Sequence, residues 1–177
     1  RGDHSAVESI DRESAGVYAD QLRTAGSLSL AKDFAERAIS PTENPRSPGN
    51  VAANYRLGLI LEKLAEAEGD STIKMTHFKA ALEALEIGRS HGTEAKIEYN
   101  RVLAQIAYGE GRFVDAADHA QGALRLERSP RNLELAAKCL EKSASFQPTK
   151  QTIDADVTAK QKTLDTKKEQ ANKTFQE

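Results

Sequence analysis

Histidine and cysteine side chains are the first place to look for chemistry in this chain of 177 residues. They are His4, His77, His91, His119 and the single cysteine, Cys139. A protein zinc site draws its ligands from short, recurring spacings of cysteine and histidine, or from an H-E-x-x-H helix. Neither pattern occurs in the sequence, which therefore predicts no metal site and no cofactor.

The sequence also contains no motif for nucleophilic catalysis or for phosphate binding. Cys139 lies in "LAAKCLEK", on the apolar side of a helical pattern and far in sequence from any histidine, so we expect a small core residue rather than a nucleophile. The segment "GEGR", residues 109–112, lacks the third glycine of a dinucleotide fingerprint and the Lys-Ser/Thr of a phosphate-binding loop. We interpret this segment as a turn.

Paired carboxylates such as Glu66 and Glu68, or Asp115 and Asp118, are typical of solvated helix faces. A general acid–base pair needs a pocket that holds both groups beside a substrate, and nothing in the sequence indicates one. The sequence therefore predicts a protein that binds rather than an enzyme.

Composition narrows the classes of partner. The 25 Lys and Arg residues nearly cancel the 27 Asp and Glu residues, and no basic block is present, so we expect no nucleic-acid partner. No run of about 18 apolar residues occurs, which predicts no membrane span. A single cysteine excludes an internal disulfide and leaves the compartment open between a cytosol and a cysteine-poor bacterial periplasm.

The periodicity of apolar residues predicts an all-α fold. Apolar residues recur at helical spacing through most of the first 145 residues, whereas strand-like alternation never persists. Breakers divide this material into seven helices, at residues 24–26, 40–50, 68–71, 88–93, 109–111, 129–132 and 148. We expect Ser129 and Thr93 to cap two of these helices, with Pro130 and Glu94 in the first turns that follow.

A repeated pattern connects the helices in pairs. A glycine is followed by alanines at offsets of 5, 9 and 12 in two places. These are Gly26, Ala31, Ala35 and Ala38, and Gly111, Ala116, Ala120 and Ala123. A third copy, from Leu57 to Leu85, is longer by about seven residues, or two helical turns. The glycines predict tight turns, and the alanines predict a face on which two helices approach closely.

These features resemble the tetratricopeptide repeat over about residues 10 to 130. The resemblance is carried by a Leu-Ala pair in the first helix (Leu103-Ala104), glycine at the turn, Phe113 after it, alanines in the second helix, and Pro130 near the end. It implies a right-handed stack of about three antiparallel hairpins within residues 1–148. The hairpins would span about 8–40, 50–88 and 93–128, with a capping helix at about 130–145. A non-standard helical-repeat protein or an irregular helical bundle is the alternative.

The resemblance also implies a concave binding face formed by the first helix of each hairpin. Counting from the small residues of those helices gives the inward-facing candidates Asp20, Arg23, Tyr55, Leu59, Glu62, Arg101, Gln105 and Tyr108. Tyrosine and arginine often anchor protein interfaces. The alternative is that both tyrosines pack between hairpins and leave only their hydroxyls at the rim.

The tail, residues 149–177, is polar, but five apolar residues share one helical stripe: Ile153, Val157, Leu164, Ala171 and Phe175. We expect a long helix that packs on the hairpins or against a second chain, the alternative being a mobile tail. The function predicted is a scaffold or adaptor that binds another protein or peptide on its concave face. A structural subunit that forms a homo-oligomer through residues 150–177 is the runner-up. A shallow small-molecule pocket, or an accessory role to an enzyme, comes third.

Overall fold

A computed structural model describes residues 10–145 and 161–162 of the chain, and that part contains helices and turns without any strand. The helices are α1 (Arg12–Thr24), α2 (Leu28–Ala38), α3 (Pro48–Ala67), α4 (Ser71–Gly88), α5 (Thr93–Gly109), α6 (Phe113–Leu126) and α7 (130–145). A short 3₁₀ helix, Arg89–His91, connects α4 to α5. The predicted all-α class and the seven helices are confirmed.

Side-chain caps fix where several helices begin. The capping residues are Asp11, Ser47, Asp70 and Ser129, each accepting a hydrogen bond from a backbone N–H of the first turn. Each bond satisfies a donor that the helix itself leaves unpaired. Ser129 accepts from the N–H of Asn132, so this predicted cap is confirmed.

The predicted cap at Thr93 is wrong by one position. Thr93 is the first helical residue of α5, and the residue before it, Gly92, has extended backbone and offers no side chain for capping. Because the extended backbone ends at Gly92, Thr93 already has helical geometry and cannot act as the cap. Glu94 lies in the first turn, as expected.

The two predicted turn glycines both adopt left-handed backbone angles. Gly26, between α1 and α2, has φ of 81°, and Gly111, between α5 and α6, has φ of 76°. A residue with a Cβ atom is strained in this region, whereas glycine is not. The predicted role of these glycines is confirmed.

Helices that are neighbours in sequence pack against each other. The most extensive contacts join α1 to α2, α3 to α4, and α5 to α6. Smaller contacts join α2 to α3, α4 to α5, and the alternate helices α1 to α3 and α3 to α5. The middle pair is the longest, with 20 and 18 residues in α3 and α4. The extra length predicted for the middle copy is therefore present.

Small residues form much of the core. The alanines predicted to line the second helices are buried, with Ala38 alone half-buried. A cluster that includes Ala104, Ala116 and Ala120 also contains Leu135 and Cys139 of α7, which attaches that helix to α5 and α6. Cys139 is fully buried, as expected of a core residue.

Two glycines allow α3 and α4 to approach closely. A Cβ atom built on Gly58 of α3 would lie 2.5 Å from the Cγ atom of Leu85 on α4. One built on Gly88 of α4 would lie 2.7 Å from the backbone nitrogen of Tyr55 on α3. The tight packing of this pair therefore depends on the absence of a side chain at both positions.

None of the helices in the described residues is long and apolar enough to cross a membrane. The predicted tail stripe, from Ile153 to Phe175, lies outside the described residues; within the tail, the structure describes only Gln161 and Lys162, which are helical.

Candidate functional site

A buried ion pair joins α3 to α5. The Arg101 Nη2 atom donates to both carboxylate oxygens of Glu62, at 3.2 Å to Oε1 and 3.1 Å to Oε2. The two side chains are only 5% and 2% exposed. Buried charges are tolerated only when they are paired and hydrogen-bonded, and this pair satisfies that condition across two helices.

Three further charged residues extend this pair into a charge cluster, which comprises Glu62, Glu66, Glu98, Arg101 and Arg131. Glu98, one helical turn before Arg101, contacts the same guanidinium. Arg131, in the first turn of α7, places Nη2 3.2 Å from Glu62 Oε1 and also contacts Glu66. The charge cluster therefore links α3, α5 and α7, with three carboxyl groups facing two guanidinium groups.

Glu98 is the member of the charge cluster with the most altered ionisation. Burial and the adjacent Glu62 carboxylate raise the pKa of Glu98 to about 8, against the opposing effect of the Arg101 and Arg131 guanidiniums. Glu98 therefore binds a proton more readily than an exposed glutamate does. When Glu98 is protonated, the carboxylates of Glu62 and Glu66 balance the two guanidiniums, and the charge cluster carries no net charge.

A cleft of about 250 Å³ opens beside the charge cluster. Its lining combines residues of α3, α5 and α7: Glu62, Glu66, Arg101, Gln105, Arg131, Glu134, Leu135 and Lys138. At its α7 side the Lys138 Nζ atom lies 4.5 Å from the centre of the Tyr108 ring, a cation–π contact. Tyr108 in turn packs edge-on against Phe113, with ring centres 5.4 Å apart.

The two candidates on α1 lie elsewhere, in a second polar contact. Asp20 accepts a hydrogen bond from Arg56 of α3 at 2.8 Å and lies 3.7 Å from Arg23. These side chains are between a quarter and two fifths exposed. They connect α1 to α3 at the surface in the way that the buried pair connects α3 to α5.

Tyr55 is half-buried between these two charged regions. Its ring stacks on His91 of the 3₁₀ helix, with ring centres 4.8 Å apart and an interplanar angle of 28°. Burial raises the pKa of Tyr55, and the neighbouring carboxylate of Glu98 raises it further. Leu59, one turn further along α3, is also half-buried. This arrangement agrees with the alternative in which Tyr55 packs between helices.

The structure thus brings three of the eight predicted residues, Glu62, Arg101 and Gln105, into one cleft, and places Tyr108 beside its α7 wall. Glu62 and Arg101 form the buried floor of the cleft rather than its exposed surface. The role of these eight residues in partner binding stays a prediction.

Sequence reasoning missed the cluster member Glu98 and the other lining residues of the cleft, namely Glu66, Arg131, Glu134, Leu135 and Lys138. One signal was present for Glu98, because a glutamate three residues before an arginine on a helix forms an ion pair. No sequence signal connects Arg131 to Glu62, since the two residues meet only through the packing of α7 on α5.

Paired charges and an amide, with Leu135 as the one apolar residue in the lining of the cleft, can bind a polar polypeptide segment. Among residues 10–145 and 161–162, no three His, Cys, Asp or Glu side chains are grouped to hold a metal ion. In comparisons with known proteins, neither a protein-family model nor a curated protein matches this chain.

Proposed function

We propose that this chain is a non-enzymatic scaffold or adaptor, built as a stack of antiparallel helical hairpins similar to tetratricopeptide repeats and capped by α7. The contact pattern supports the proposal, because the paired helices have the largest interfaces and the alternate helices α1, α3 and α5 also touch in succession. In such a stack the first helices share one face. Of the eight residues selected from the sequence, Glu62, Arg101 and Gln105 line one cleft between α3, α5 and α7.

The cleft beside the charge cluster is the observation that carries the proposed binding role. Its floor is fixed by the buried pair of Glu62 and Arg101, so the helices that form its walls are held in register. Its rim is accessible, since Glu66 and Arg131 are 38% and 42% exposed. Rigid walls with accessible charges of both signs favour a polar segment of another protein or a peptide as the occupant.

A matched pair of glutamine substitutions tests this role. Gln105 is half-buried in the cleft, and Gln121 is half-buried on α6, outside the lining of the cleft. Gln105→Arg inserts a long cation into the cleft, whereas Gln121→Arg makes the same chemical change elsewhere. We expect partners captured from an extract of the native organism by the unchanged protein to be retained by Gln121→Arg and lost with Gln105→Arg.

Both variants must keep the helical circular dichroism of the unchanged protein. If both variants lose the same partners, or if both retain them, the cleft is not the binding site.

A further inference from the structure

A cavity of about 560 Å³ lies where α4 ends and α5 begins. Three basic side chains line it, those of Arg46, Arg89 and Lys96, and among the described residues of its lining Glu86 is the one carboxylate. We call it the basic cavity. It shares no lining residue with the cleft beside the charge cluster, so the two are separate sites.

Three separate segments bring these cations together. Arg46 belongs to the loop between α2 and α3, Arg89 to the 3₁₀ helix, and Lys96 to the beginning of α5. Because they are dispersed along the chain, they form no basic block in the sequence, and only the fold places them around one space.

The loop that carries Arg46 is held by a buried amide. Asn50 is only 2% exposed, and its Nδ2 atom donates to the backbone carbonyls of Ser40 and Asn44, at 3.1 and 3.0 Å. Its Oδ1 atom accepts from the backbone N–H of Ser40 at 2.7 Å. The Asn44 side chain in turn accepts from the backbone N–H of Arg46 at 2.8 Å. The backbone of Arg46 is therefore fixed at the cavity.

Arg89 is positioned by contacts that leave its hydrogen-bond donors available. The guanidinium carbon lies 4.9 Å from the centre of the Tyr99 ring, a cation–π contact. The nearest atoms of Arg89 and Glu86 are 3.9 Å apart, which is an ion pair but too long for a hydrogen bond. A guanidinium with free donors can make two parallel hydrogen bonds to a phosphate.

The basic cavity carries an excess of positive charge. Neither Arg46 nor Lys96 forms an ion pair with a described residue, and Glu86 offsets only the charge of Arg89. By contrast, both arginines that line the cleft beside the charge cluster are paired with carboxylates. Two unpaired like charges around one space repel each other, so a bound anion would stabilise this arrangement.

We propose that the basic cavity binds a phosphate group, carried by inorganic phosphate or by a small-molecule phosphate monoester. A phosphate monoester has about two negative charges at pH 7, which matches the two unpaired cations. The volume of the cavity lies within the range of about 300–1,000 Å³ that is usual for small-molecule sites. Ile87, which also lines the cavity, offers an apolar contact for the organic part of an ester.

Calorimetric titration of the full chain at pH 7.5 and low salt tests the proposal, with phenyl phosphate and inorganic phosphate as the probes. We expect saturable binding, with a dissociation constant for phenyl phosphate at or below about 5 mM. The double substitution Arg46→Gln with Lys96→Gln should weaken binding by about tenfold or more, since it removes two charged contacts.

A control of equal net charge separates a specific site from general attraction. Arg125→Gln with Lys142→Gln changes two exposed cations on α6 and α7, outside the lining of the basic cavity, and should leave the affinity within about twofold. All four substituted side chains are exposed, so both double variants should keep the thermal denaturation midpoint of the unchanged protein. If the first double variant does not, Lys96→Gln alone is compared with Lys142→Gln.

The two probes also distinguish the sources of the phosphate group. Tighter binding of phenyl phosphate supports a small-molecule ester as the ligand, whereas equal affinities support inorganic phosphate. If the unchanged protein shows no saturable binding of either probe, or if the two double variants lose affinity equally, the proposal is overturned.

Discussion

Arg101 of α5 and Glu62 of α3, 39 residues apart in the sequence, form a doubly hydrogen-bonded ion pair in the interior. Each charge depends on the other, because a carboxylate or guanidinium left alone in a buried position loses its hydration without replacement. The pair therefore acts as a fixed link between two helices and as the floor of the cleft.

Removal of the arginine should be costly. We expect Arg101→Met to lower the free energy of unfolding by about 3–5 kcal/mol, because it leaves the Glu62 carboxylate buried with one of its two cationic partners removed. Arg56→Met is the matched control. It breaks the half-exposed pair with Asp20 and should cost only about 0–1 kcal/mol. Urea denaturation at pH 7 measures both, and equal losses would contradict the role given to the buried pair.

Protonation of Glu98 should make stability depend on pH. Its pKa is about 8 in the folded protein against an ordinary value of 4.5, so the folded state binds the additional proton between these values. The stabilisation from this group is therefore complete below pH 4.5 and is lost as the pH rises to about 8.

Glu98→Gln should remove this dependence, since glutamine does not ionise and is similar in shape to the protonated acid. We expect the variant to be more stable than the unchanged protein at pH 8.5, and the difference to shrink toward pH 5. The exposed Glu83→Gln on α4 serves as the control and should produce no such trend. Urea titrations at pH 5, 7 and 8.5 give the free energies of unfolding that test this prediction. If the free energy of unfolding changes with pH in the same way for Glu98→Gln and the unchanged protein, the prediction is wrong.

The close approach of α3 and α4 makes a prediction about glycine. Gly58→Ala should destabilise the protein by about 1–3 kcal/mol, because the new methyl group meets the fully buried Leu85 side chain. Gly49→Ala, also on α3, has nothing within 4 Å of its Cβ position and should be neutral or stabilising by up to about 1 kcal/mol. Thermal denaturation of both variants distinguishes packing from helix propensity; a Gly58→Ala variant as stable as Gly49→Ala would show that the core can rearrange freely.

Much of the fold could be predicted because local chemistry decides it. Gly26 and Gly111 could be assigned to turns from the sequence, since glycine is favoured where φ is positive, and the alanines that follow them could be assigned to a buried face. Apolar spacing likewise placed Cys139 in the core. The predicted cap at Thr93 was wrong by a single residue, which is the usual uncertainty of a helix boundary.

The charge cluster could be predicted only in part. Counting from small residues placed Glu62 and Arg101 on the same side of their helices, but not their burial or their pairing. Those depend on how α3, α5 and α7 are rotated against one another, and Arg131 joins the cluster only because Leu135 and Cys139 anchor α7 on α5 and α6. The sequence of each helix taken alone does not specify this rotation.

The thiol of Cys139 offers a test of how firmly α7 is attached. Burial raises the pKa of this cysteine, against a smaller opposing effect of Lys138, so little reactive thiolate is present at pH 8. We expect alkylation by iodoacetamide to be about 100-fold slower than in the urea-unfolded chain, with the protected rate tracking local opening of α7. Labelling at the unfolded rate would mean that α7 does not stay packed on α5 and α6.

The proposal that a partner occupies the cleft is the central claim, and site-specific photo-crosslinking addresses it most directly. A photoreactive amino acid is placed at Gln105 in one protein and at Gln121 in another, and both are irradiated in an extract of the native organism. The scaffold account predicts a discrete cross-linked partner from position 105 and none from position 121. Cross-links of equal yield from the two positions, or from position 121 alone, would contradict it.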